Sequence, residues 1–340
     1  MSSDAFSMAE TVPNMSEVIR VEHLKKHFPV QKNVLEQVLT RKKSFVRAVD
    51  GVSFSVRKSE IFTLAGESGC GKTTTAKLIV RLIEPTSGRI WFNGEDVAEL
   101  KGEKLRLLRR KMQIIFQDPY ASLSPRMKIG FAVGHPLSIH GIAKGEDRKK
   151  AVLAVLQKVG LTPPEQFVNL YPHQMSGGQR QRVALARAVI LNPEFMVADE
   201  PVSMIDVSLR TTIIDLMLGF RKELGLTYLF VTHDLAVAKY ISDRIAIMYL
   251  GRIVEIGPKD SLFSNPMHPY TRALLSAIPV PDPKRKKQMI ELKGEVPSAI
   301  NVPPGCRFNP RCAYKKEGCT NREPELVEIE KDHFVACPLY

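Results

Sequence analysis

The stretch IFTLAGESGCGKT, residues 61–73, decides the fold of this 340-residue chain. Its first five residues form a short apolar run, and the remaining eight match the pattern G-x-x-x-x-G-K-[ST]. Residues 74–83 have the composition of a helix, which we predict to stop before Pro85. A strand, a glycine-rich loop and a helix in this order are typical of a phosphate-binding loop, or P-loop. The sequence therefore predicts an α/β fold with a P-loop core.

The side chains and backbone of the loop suit the phosphates of a nucleotide. Its glycines let backbone N–H groups turn inward, at a helix N-terminus that also favours anions. Lys72 can reach the β- and γ-phosphates, and the Thr73 hydroxyl can bind Mg²⁺. The predicted nucleotide-binding positions of the loop are Gly66, Ser68, Gly69, Cys70, Gly71, Lys72, Thr73 and Thr74.

Two further apolar runs end in polar residues. The run at 195–198 ends at Asp199 and Glu200, and the run at 228–231 leads to His233. Ligands of parallel α/β sheets bind at the carboxyl ends of the strands. Alone, an Asp-Glu pair more often caps a strand. After a P-loop, Asp199 fits the acid that associates with Mg²⁺, and Glu200 fits the base that deprotonates the attacking water.

The remaining patterns suggest how the chain is organised. Few β-rich runs occur between 118 and 170, and the run at 151–159 has helical spacing. The segment 245–256 is typical of a β-hairpin that turns at Leu250 and Gly251. Proline and charge increase from residue 279, which indicates a linker. We predict a disordered tail over 1–17, a nucleotide-binding domain over 18–280 with a helical subdomain at about 118–175, and a small cysteine-bearing C-terminal appendage over 281–340.

The composition of the chain limits the classes of partner that would suit it but does not identify one. The formal net charge of +13 suits nucleic acid, anionic lipid headgroups or nucleotide phosphates, although short basic runs usually form solvated faces. No stretch reaches the roughly 18 apolar residues that cross a bilayer, and the first 17 residues do not resemble a secretory signal. We therefore expect a cytoplasmic chain that reaches a membrane only through a partner.

A second candidate phosphate site follows residue 175. Ser176, Gly177 and Gly178 precede an apparent helix at 179–191, which makes another N-terminus that can bind an anion. One nucleotide does not need two such sites from one chain. Two chains that face each other head to tail would use both.

Together these motifs resemble those of the ATP-binding cassette (ABC) ATPases, and the resemblance covers about residues 18–280. It implies a RecA-like P-loop core with an antiparallel β subdomain and a helical subdomain. The motifs occur in the family's order: Phe28 at the adenine-stacking position, the P-loop at 66–73, Gln117 in IFQDP, MSGGQ at 175–179, the carboxylates at 199–200, Asp206 and His233.

More narrowly, the chain is similar to the ATPases of oligopeptide and dipeptide importers, especially their F-type subunits. The residues that carry this likeness are GESGCGKT (66–73), IFQDPYASLSPRM (115–127), MYLGRIVEIG (248–257), HPYTRALLSAIP (268–279) and CRFNPRC (306–312). The resemblance implies a peripheral subunit at the cytoplasmic face of the membrane. Its partners would be two membrane-spanning permease subunits, a D-type second ATPase in a heterodimer and, indirectly, a substrate-binding protein. Oligosaccharide and metal-chelate importers have nearly identical ATPases, so these cargoes remain alternatives to peptides.

The resemblance also implies roles for individual residues. Lys72 and the loop amides would bind phosphates, Glu200 would be the catalytic base, and His233 would contact the γ-phosphate. Mg²⁺ would be held, directly or through water, by Thr73, Gln117 and Asp199. Ser176 and Gly178 would complete the ATP site of a partner chain across the interface, and Gly177, Gln179 and Asp206 are further predicted nucleotide-binding residues.

Three positions depart from the family pattern. Met175 replaces the usual leucine of the signature, a change that conserves volume. Met204 and Ile205 replace the usual Ala-Leu before Asp206, and Ser59 stands where a glycine is usual. None of these changes removes a catalytic group.

Two other function classes fit the motifs less well. Nucleic-acid machines that share this cassette separate the P-loop from the signature by a long coiled coil, whereas here about a hundred residues without heptads separate Lys72 from Ser176. We therefore predict no nucleic-acid partner. A regulatory subunit without hydrolysis would lack Lys72, Glu200 or His233, and all three are present.

Four of the five cysteines lie in the last 35 residues: Cys306, Cys312, Cys319 and Cys337. Clustered cysteines in a reducing compartment more often bind metal than form disulfides. Their spacing lacks the paired C-x-x-C of common zinc ribbons, and four thiolates are also the ligand set of a [4Fe–4S] cluster. The flanking residues resemble importer ATPases that carry such a cluster. We favour iron–sulfur, with zinc and unligated or oxidised thiols as alternatives.

Overall fold

The computed structural model describes residues 17–30, 44–278, 290–292 and 294–340. Residues 1–16 of the predicted tail, the basic runs at 41–43 and 284–287, and the predicted linker from residue 279 lie outside these ranges. Within the described part of the chain, no helix is long and apolar enough to cross a membrane.

The described residues form twelve strands and eleven α-helices. The strands are β1 (Glu17–Pro29), β2 (Phe45–Arg57), β3 (Ile61–Ala65), β4 (Ser87–Phe92), β5 (Glu95–Asp96), β6 (Met112–Ile115), β7 (Phe195–Asp199), β8 (Thr227–Thr232), β9 (Arg244–Tyr249), β10 (Arg252–Pro258), β11 (Val327–Glu330) and β12 (His333–Val335). The helices are α1 (Lys72–Ile79), α2 (Gly102–Lys111), α3 (Pro119–Ser122), α4 (Ile129–Ile139), α5 (Gly145–Lys158), α6 (Glu165–Val168), α7 (Gly177–Val189), α8 (Val207–Leu224), α9 (Leu235–Ile241), α10 (Lys259–Ser264) and α11 (Pro269–Ser276).

An eight-stranded sheet carries the predicted P-loop core, in the order β11-β12-β10-β9-β3-β8-β7-β6. The five strands from β9 to β6 in that order are parallel. Every residue of β3, β7 and β8 is buried, as expected for a parallel sheet covered on both faces. The carboxyl ends of these three strands therefore lie side by side, and each is followed by predicted site residues.

A second, antiparallel sheet has the order β2-β1-β4-β5. Burial alternates along β2 from Asp50 to Val56, so one face packs on the core and the other is more exposed. The apolar face of this sheet shares a core with β3 and α1, in which Val21, Val52 and Leu64 are buried. The predicted antiparallel β part is thus confirmed.

The segment after β6 is helical, as predicted. It contains α3 to α6 and a 3₁₀ turn at Pro172–Gln174. Val133 of α4 and Leu156 of α5 are buried in one core with Val183 of α7. Met175 is also buried in this core, which agrees with a volume-conserving replacement of leucine.

The predicted strand β3 and the predicted hairpin are present, but both ends of α1 differ from the prediction. β3 has the predicted bounds, and the hairpin between β9 and β10 turns at Leu250 and Gly251, which both have positive φ. However, α1 begins at Lys72 instead of Thr74 and ends at Ile79 instead of Ile83. The helix ends early because Arg81 adopts a left-handed φ of 56° and its guanidinium donates to the Val97 carbonyl.

Ser59 keeps the turn that a glycine usually makes. Its φ is 57°, in the left-handed region that favours glycine. The Ser59 N–H donates to the Thr227 hydroxyl at 2.9 Å, and the Ser59 hydroxyl donates to the Gly225 carbonyl at 3.0 Å. These hydrogen bonds offset the strain, so this departure from the family pattern leaves the turn in place.

The described residues of the predicted C-terminal appendage are joined to the central sheet. β12 pairs with β10 through Glu255 and Val335, and β11 pairs with β12, so both strands extend the central sheet. Phe308 and Cys306 are buried in a core shared with β9 and α11. These apolar side chains are therefore buried against the rest of the chain and not only against each other.

His268 links the stability of this region to pH. The ring is 1% exposed, and its Nδ1 accepts the Tyr270 N–H at 3.0 Å, which caps the N-terminus of α11. Burial lowers the pKa of His268 from 6.5 to about 4, although the Glu255 charge opposes the shift. Between these values the unfolded chain binds a proton that the folded chain excludes. Stability present above pH 6.5, about 3 kcal/mol, is therefore lost as the pH falls towards 4.

We expect His268→Asn to remove this pH dependence, because asparagine still accepts at an N-cap but does not titrate. Urea unfolding of both chains at pH 7 and pH 4.5 measures the effect. The free-energy advantage of the wild-type chain over the variant should shrink by about 2 kcal/mol or more at the lower pH. Parallel pH curves for the two chains would contradict the assignment.

Candidate active site

The P-loop between β3 and α1 is built so that only its backbone lines the inside. Gly66 has a φ of 152°, and a Cβ atom there would lie 2.2 Å from the Met248 carbonyl oxygen, so only glycine fits. Lys72 is 5% exposed, and its Nζ donates to the carbonyls of Gly66 at 2.7 Å and Glu67 at 2.9 Å. The ammonium group thus lies within the loop. Ser68 and Gly69 form the exposed tip, and Cys70 is buried.

Thr73 and Asp199 meet at the end of the loop. The Thr73 hydroxyl donates to Asp199 Oδ1 at 3.0 Å, which joins the first turn of α1 to the end of β7. Burial raises the pKa of Asp199, and the Glu200 charge raises it further, against the effects of Thr73 and two lysines. A divalent cation would stabilise the ionised carboxylate here. A hydroxyl beside a carboxylate is also a donor set that Mg²⁺ accepts, so these residues fit the predicted metal.

Glu200 lies between the two other predicted catalytic residues. Gln117 Nε2 donates to Glu200 Oε2 at 2.9 Å, and His233 Nδ1 lies 2.9 Å from Glu200 Oε1. The Glu200 side chain is 12% exposed. Its backbone has a φ of 46°, a strained value for a residue other than glycine. Residues from β6, β7 and β8 are therefore brought together around one carboxylate.

Phe28 lies on β1, beside the P-loop. It is 38% exposed, and Lys26 Nζ lies 5.1 Å from the centre of its ring. Phe28 pairs with Val46, two residues before Ala48, and the Ala48 carbonyl lies against Gly71 of the P-loop. An exposed ring in this position can stack on a base whose phosphates enter the loop.

The signature residues are not joined to the P-loop of the same chain. Ser176 caps α7: its hydroxyl accepts the Gln179 N–H at 3.3 Å, and the Gln179 side chain accepts the Ser176 N–H at 2.9 Å. Gly178 is buried against Leu209, whereas space remains open beside Gly177. Among the described residues, no hydrogen bond connects 176–179 to 66–74.

Asp206 and the residues before it lead from the Asp199–Glu200 pair into α8. Asp206 is exposed at the N-cap of α8, without a side-chain capping bond. Met204 is 59% exposed, whereas Ile205 is 6% exposed and belongs to the helical core. The departure at Met204 therefore changes the surface of the chain, and the departure at Ile205 changes its packing.

The four C-terminal cysteines are unpaired and lie close to each other. Cys306, Cys319 and Cys337 are buried, and Cys312 is partly buried. Burial raises the pKa of Cys306 to about 11, and the charges of the other three thiols add to the rise. Over the ranges that the structure describes, however, no group of three or more His, Cys, Asp or Glu is arranged to hold a metal ion.

Sequence reasoning assigned no role to several residues that touch the site. The Tyr270 hydroxyl accepts the N–H of Glu67 in the P-loop at 3.0 Å, and Arg311 forms an ion pair with the Glu67 carboxylate. Arg307 donates to Asp50 of β2, and Asp50 contacts His27 beside Phe28. The segments HPYTRALLSAIP and CRFNPRC contain Tyr270, Arg307 and Arg311, and they were the only signal for these contacts.

Comparisons with known proteins match this geometry. Residues 49–203 match the ABC transporter family model, and residues 254–319 match the model of the oligopeptide/dipeptide transporter C-terminal region. The dimeric post-hydrolysis structure of the ATP-binding cassette MJ0796, bound to ADP and Pi, has a TM-score of 0.62 at 29% identity. It covers 71% of this chain and 98% of that one.

Relatives of nearly the same length are much closer in sequence. The oligopeptide transport ATP-binding protein AppF of Bacillus subtilis (strain 168) is 45% identical, over 97% of this chain and 99% of its own length. The dipeptide transport ATP-binding protein DppF of Haemophilus influenzae (strain ATCC 51907 / DSM 11121 / KW20 / Rd) is 44% identical, over 97% and 99%. With a P-loop, an acid pair and a signature in one fold, and relatives matched from end to end, the chain belongs to the ABC transporter ATPases, in the group of the oligopeptide/dipeptide transport ATP-binding proteins.

Proposed function

We propose that this chain hydrolyses ATP to power the import of oligopeptides or dipeptides through a membrane transporter. The observation that carries the proposal is the Glu200 carboxylate, held by Gln117 and His233 beside the Thr73–Asp199 pair. The names of the relatives AppF and DppF favour peptides over oligosaccharides or metal chelates as cargo.

The residues divide the reaction between them. Lys72 and the loop amides hold the β- and γ-phosphates, and Phe28 stacks on the adenine. Thr73, Asp199 and Gln117 would hold Mg²⁺, directly or through water, and the cation would neutralise part of the phosphate charge. Glu200 orients the attacking water and accepts its proton, and His233 holds Glu200 and the γ-phosphate in position. The bonds to Gln117 and His233 fix the orientation of the base before water attacks.

Two chains complete each site. Ser176 and Gly178 lie at a helix N-terminus that is not joined to the P-loop of their own chain, so they are available to the phosphates bound by a partner. We assign Gly177, Gln179 and Asp206 to the same nucleotide site. The solved relative MJ0796 is dimeric, which supports this arrangement. By likeness to F-type subunits, the partner is a D-type ATPase, and the pair binds two permease subunits at the cytoplasmic face, with a substrate-binding protein acting through them.

We expect Glu200→Gln to keep the affinity for ATP and to lower turnover by about a hundredfold or more, because the amide cannot accept the proton. Nucleotide binding and phosphate release by the assembled transporter measure the two effects. His233→Ala should likewise keep binding and lower hydrolysis. Glu194→Gln is the matched control, because Glu194 is an exposed glutamate at the other end of β7. Turnover of Glu200→Gln near the wild-type value would remove Glu200 from the role of base.

The proposed heterodimer leads to a separate prediction. Since one chain supplies half of each site, we expect the isolated chain to be mostly monomeric and slow in hydrolysis. With its permease subunits alone it should hydrolyse ATP weakly and without stimulation by cargo, and adding the second ATPase should restore stimulated turnover. Sizing chromatography and ATPase assays of the two mixtures test this. Full cargo-stimulated turnover without a second ATPase would show a homodimer instead.

The cysteine cluster belongs to the proposal as a bound [4Fe–4S] group. The four thiols are unpaired and mostly buried, and, besides burial, the charges of Cys312 and Cys319 raise the pKa of both Cys306 and Cys337. Four thiolates are the ligand set of a [4Fe–4S] cluster, and the resemblance to importer ATPases that carry one favours iron–sulfur over zinc. Cys306, Cys312, Cys319 and Cys337 would hold the group. It would have a structural or redox-sensing role, because ATP hydrolysis needs no electron carrier.

We expect protein purified without oxygen to be brown, to absorb broadly near about 400 nm and to contain about four irons per chain, as a Cys₄ cluster requires. Metal analysis and absorbance spectra measure this, with a Cys312→Ser chain as the comparison. Cys70→Ser is the matched control, since Cys70 lies in the P-loop and not in the cluster. Colourless protein with one zinc would overturn the iron–sulfur assignment and leave the ATPase assignment unchanged.

A further inference from the structure

The loop from Cys306 to Cys312, here called the cysteine loop, reaches the P-loop through one ion pair. Arg311 Nη1 donates to Glu67 Oε2 at 2.8 Å, and Arg311 Nη2 donates to Glu67 Oε1 at 3.3 Å. The Arg311 side chain is 7% exposed and the Glu67 side chain 26%. Two hydrogen bonds of this kind fix the orientation of the Glu67 carboxylate as well as its distance from Arg311. Water competes little for a buried guanidinium.

Aromatic rings hold the cysteine loop in this position. Phe308, 2% exposed, packs its ring 5.4 Å from both Tyr249 and Tyr270. The Arg311 guanidinium lies 5.9 Å from the centre of the Tyr249 ring. Because the Tyr270 hydroxyl also accepts the Glu67 N–H, the C-terminal part of the chain holds Glu67 by both its backbone and its side chain.

The position of Glu67 affects the phosphate-binding groups directly. Its carbonyl accepts Lys72 Nζ at 2.9 Å and the Cys70 N–H at 3.4 Å. The next two residues, Ser68 and Gly69, form the exposed tip of the loop. The Glu67 carboxylate is also an anion beside the place where phosphates enter, and Arg311 is its neutralising partner. Without Arg311, Glu67 would repel the nucleotide and would be free to draw the loop out of position.

We infer that Arg311 is a positioning residue of the ATP site, which holds and neutralises Glu67 and thereby makes nucleotide affinity depend on the cysteine loop. The inference rests on the proposed role of the P-loop in binding ATP. Arg311 does not touch the reacting atoms, so its effect should appear in the affinity for ATP and in KM more than in kcat.

The test is a double-mutant cycle on the full-length chain, with the dissociation constant of a fluorescent ATP analogue measured at excess Mg²⁺. We expect Arg311→Gln to weaken binding about tenfold, within the range of coupling for a direct ion pair. Adding Glu67→Gln should recover part of the loss, because no unpaired anion then remains. Arg311→Lys, which keeps the charge but not the two-pronged contact, should lie between wild type and Arg311→Gln.

Controls separate this role from a loss of folding. Arg322→Gln is the matched control, because Arg322 lies in the same region in an exposed pair with Glu325, and its affinity should equal that of wild type. Melting temperatures show whether each variant folds. If Arg311→Gln melts early, the rank of Arg311→Lys and the recovery by Glu67→Gln decide the question.

Two results would overturn the inference: folded Arg311→Gln with wild-type affinity, or a double variant that binds as weakly as the product of the two single losses. A wild-type chain that fails to bind the analogue would instead contradict the proposed ATP site, and the inference with it.

Discussion

The pairing of β3 with β8 on one side and β9 on the other is the constraint on which the rest of the structure depends. β3 delivers the P-loop, and its neighbour β8 delivers His233. β7, one strand further along, delivers Asp199 and Glu200. Since parallel strands end at the same edge of a sheet, three segments far apart in the chain meet without any long loop between them. The energy for this arrangement comes from burying strands that are apolar on both faces.

Around this edge, buried ion pairs set geometry more than they add stability. Arg307 and Asp50 are 4% and 7% exposed in their side chains. Burial alone would raise the pKa of Asp50, but the hydrogen bonds from Arg307 and His27 hold it below its ordinary value. A buried pair of this kind adds little net stability, because both groups lose their hydration. Removing one partner is costly, however, so the pair fixes where the cysteine loop meets β2.

The features that the sequence predicted correctly depend on residues that are neighbours in the chain. The strand β3, the P-loop after it and the hairpin at Leu250 and Gly251 need only local patterns of apolar residues and glycine. The end of α1 was predicted too late, since Arg81 leaves the helix to bond a carbonyl in another element. The contact of Arg311 with Glu67 joins residues 244 positions apart, and no local pattern contains it.

The C-terminal region is a larger example of packing that local sequence patterns do not predict. Rich in proline and charge, its sequence is typical of a small unit that needs a staple, and its apolar residues are few. In the structure these few residues face a core that the rest of the chain provides, and β12 satisfies its backbone on β10. The region therefore needs no core of its own. Two of its arginines, Arg307 and Arg311, form ion pairs with Asp50 and Glu67 in other parts of the chain. Cys306 and Cys312 each lie one residue from such an arginine, so the cysteine loop is tied to β2 through Arg307 and to the P-loop through Arg311.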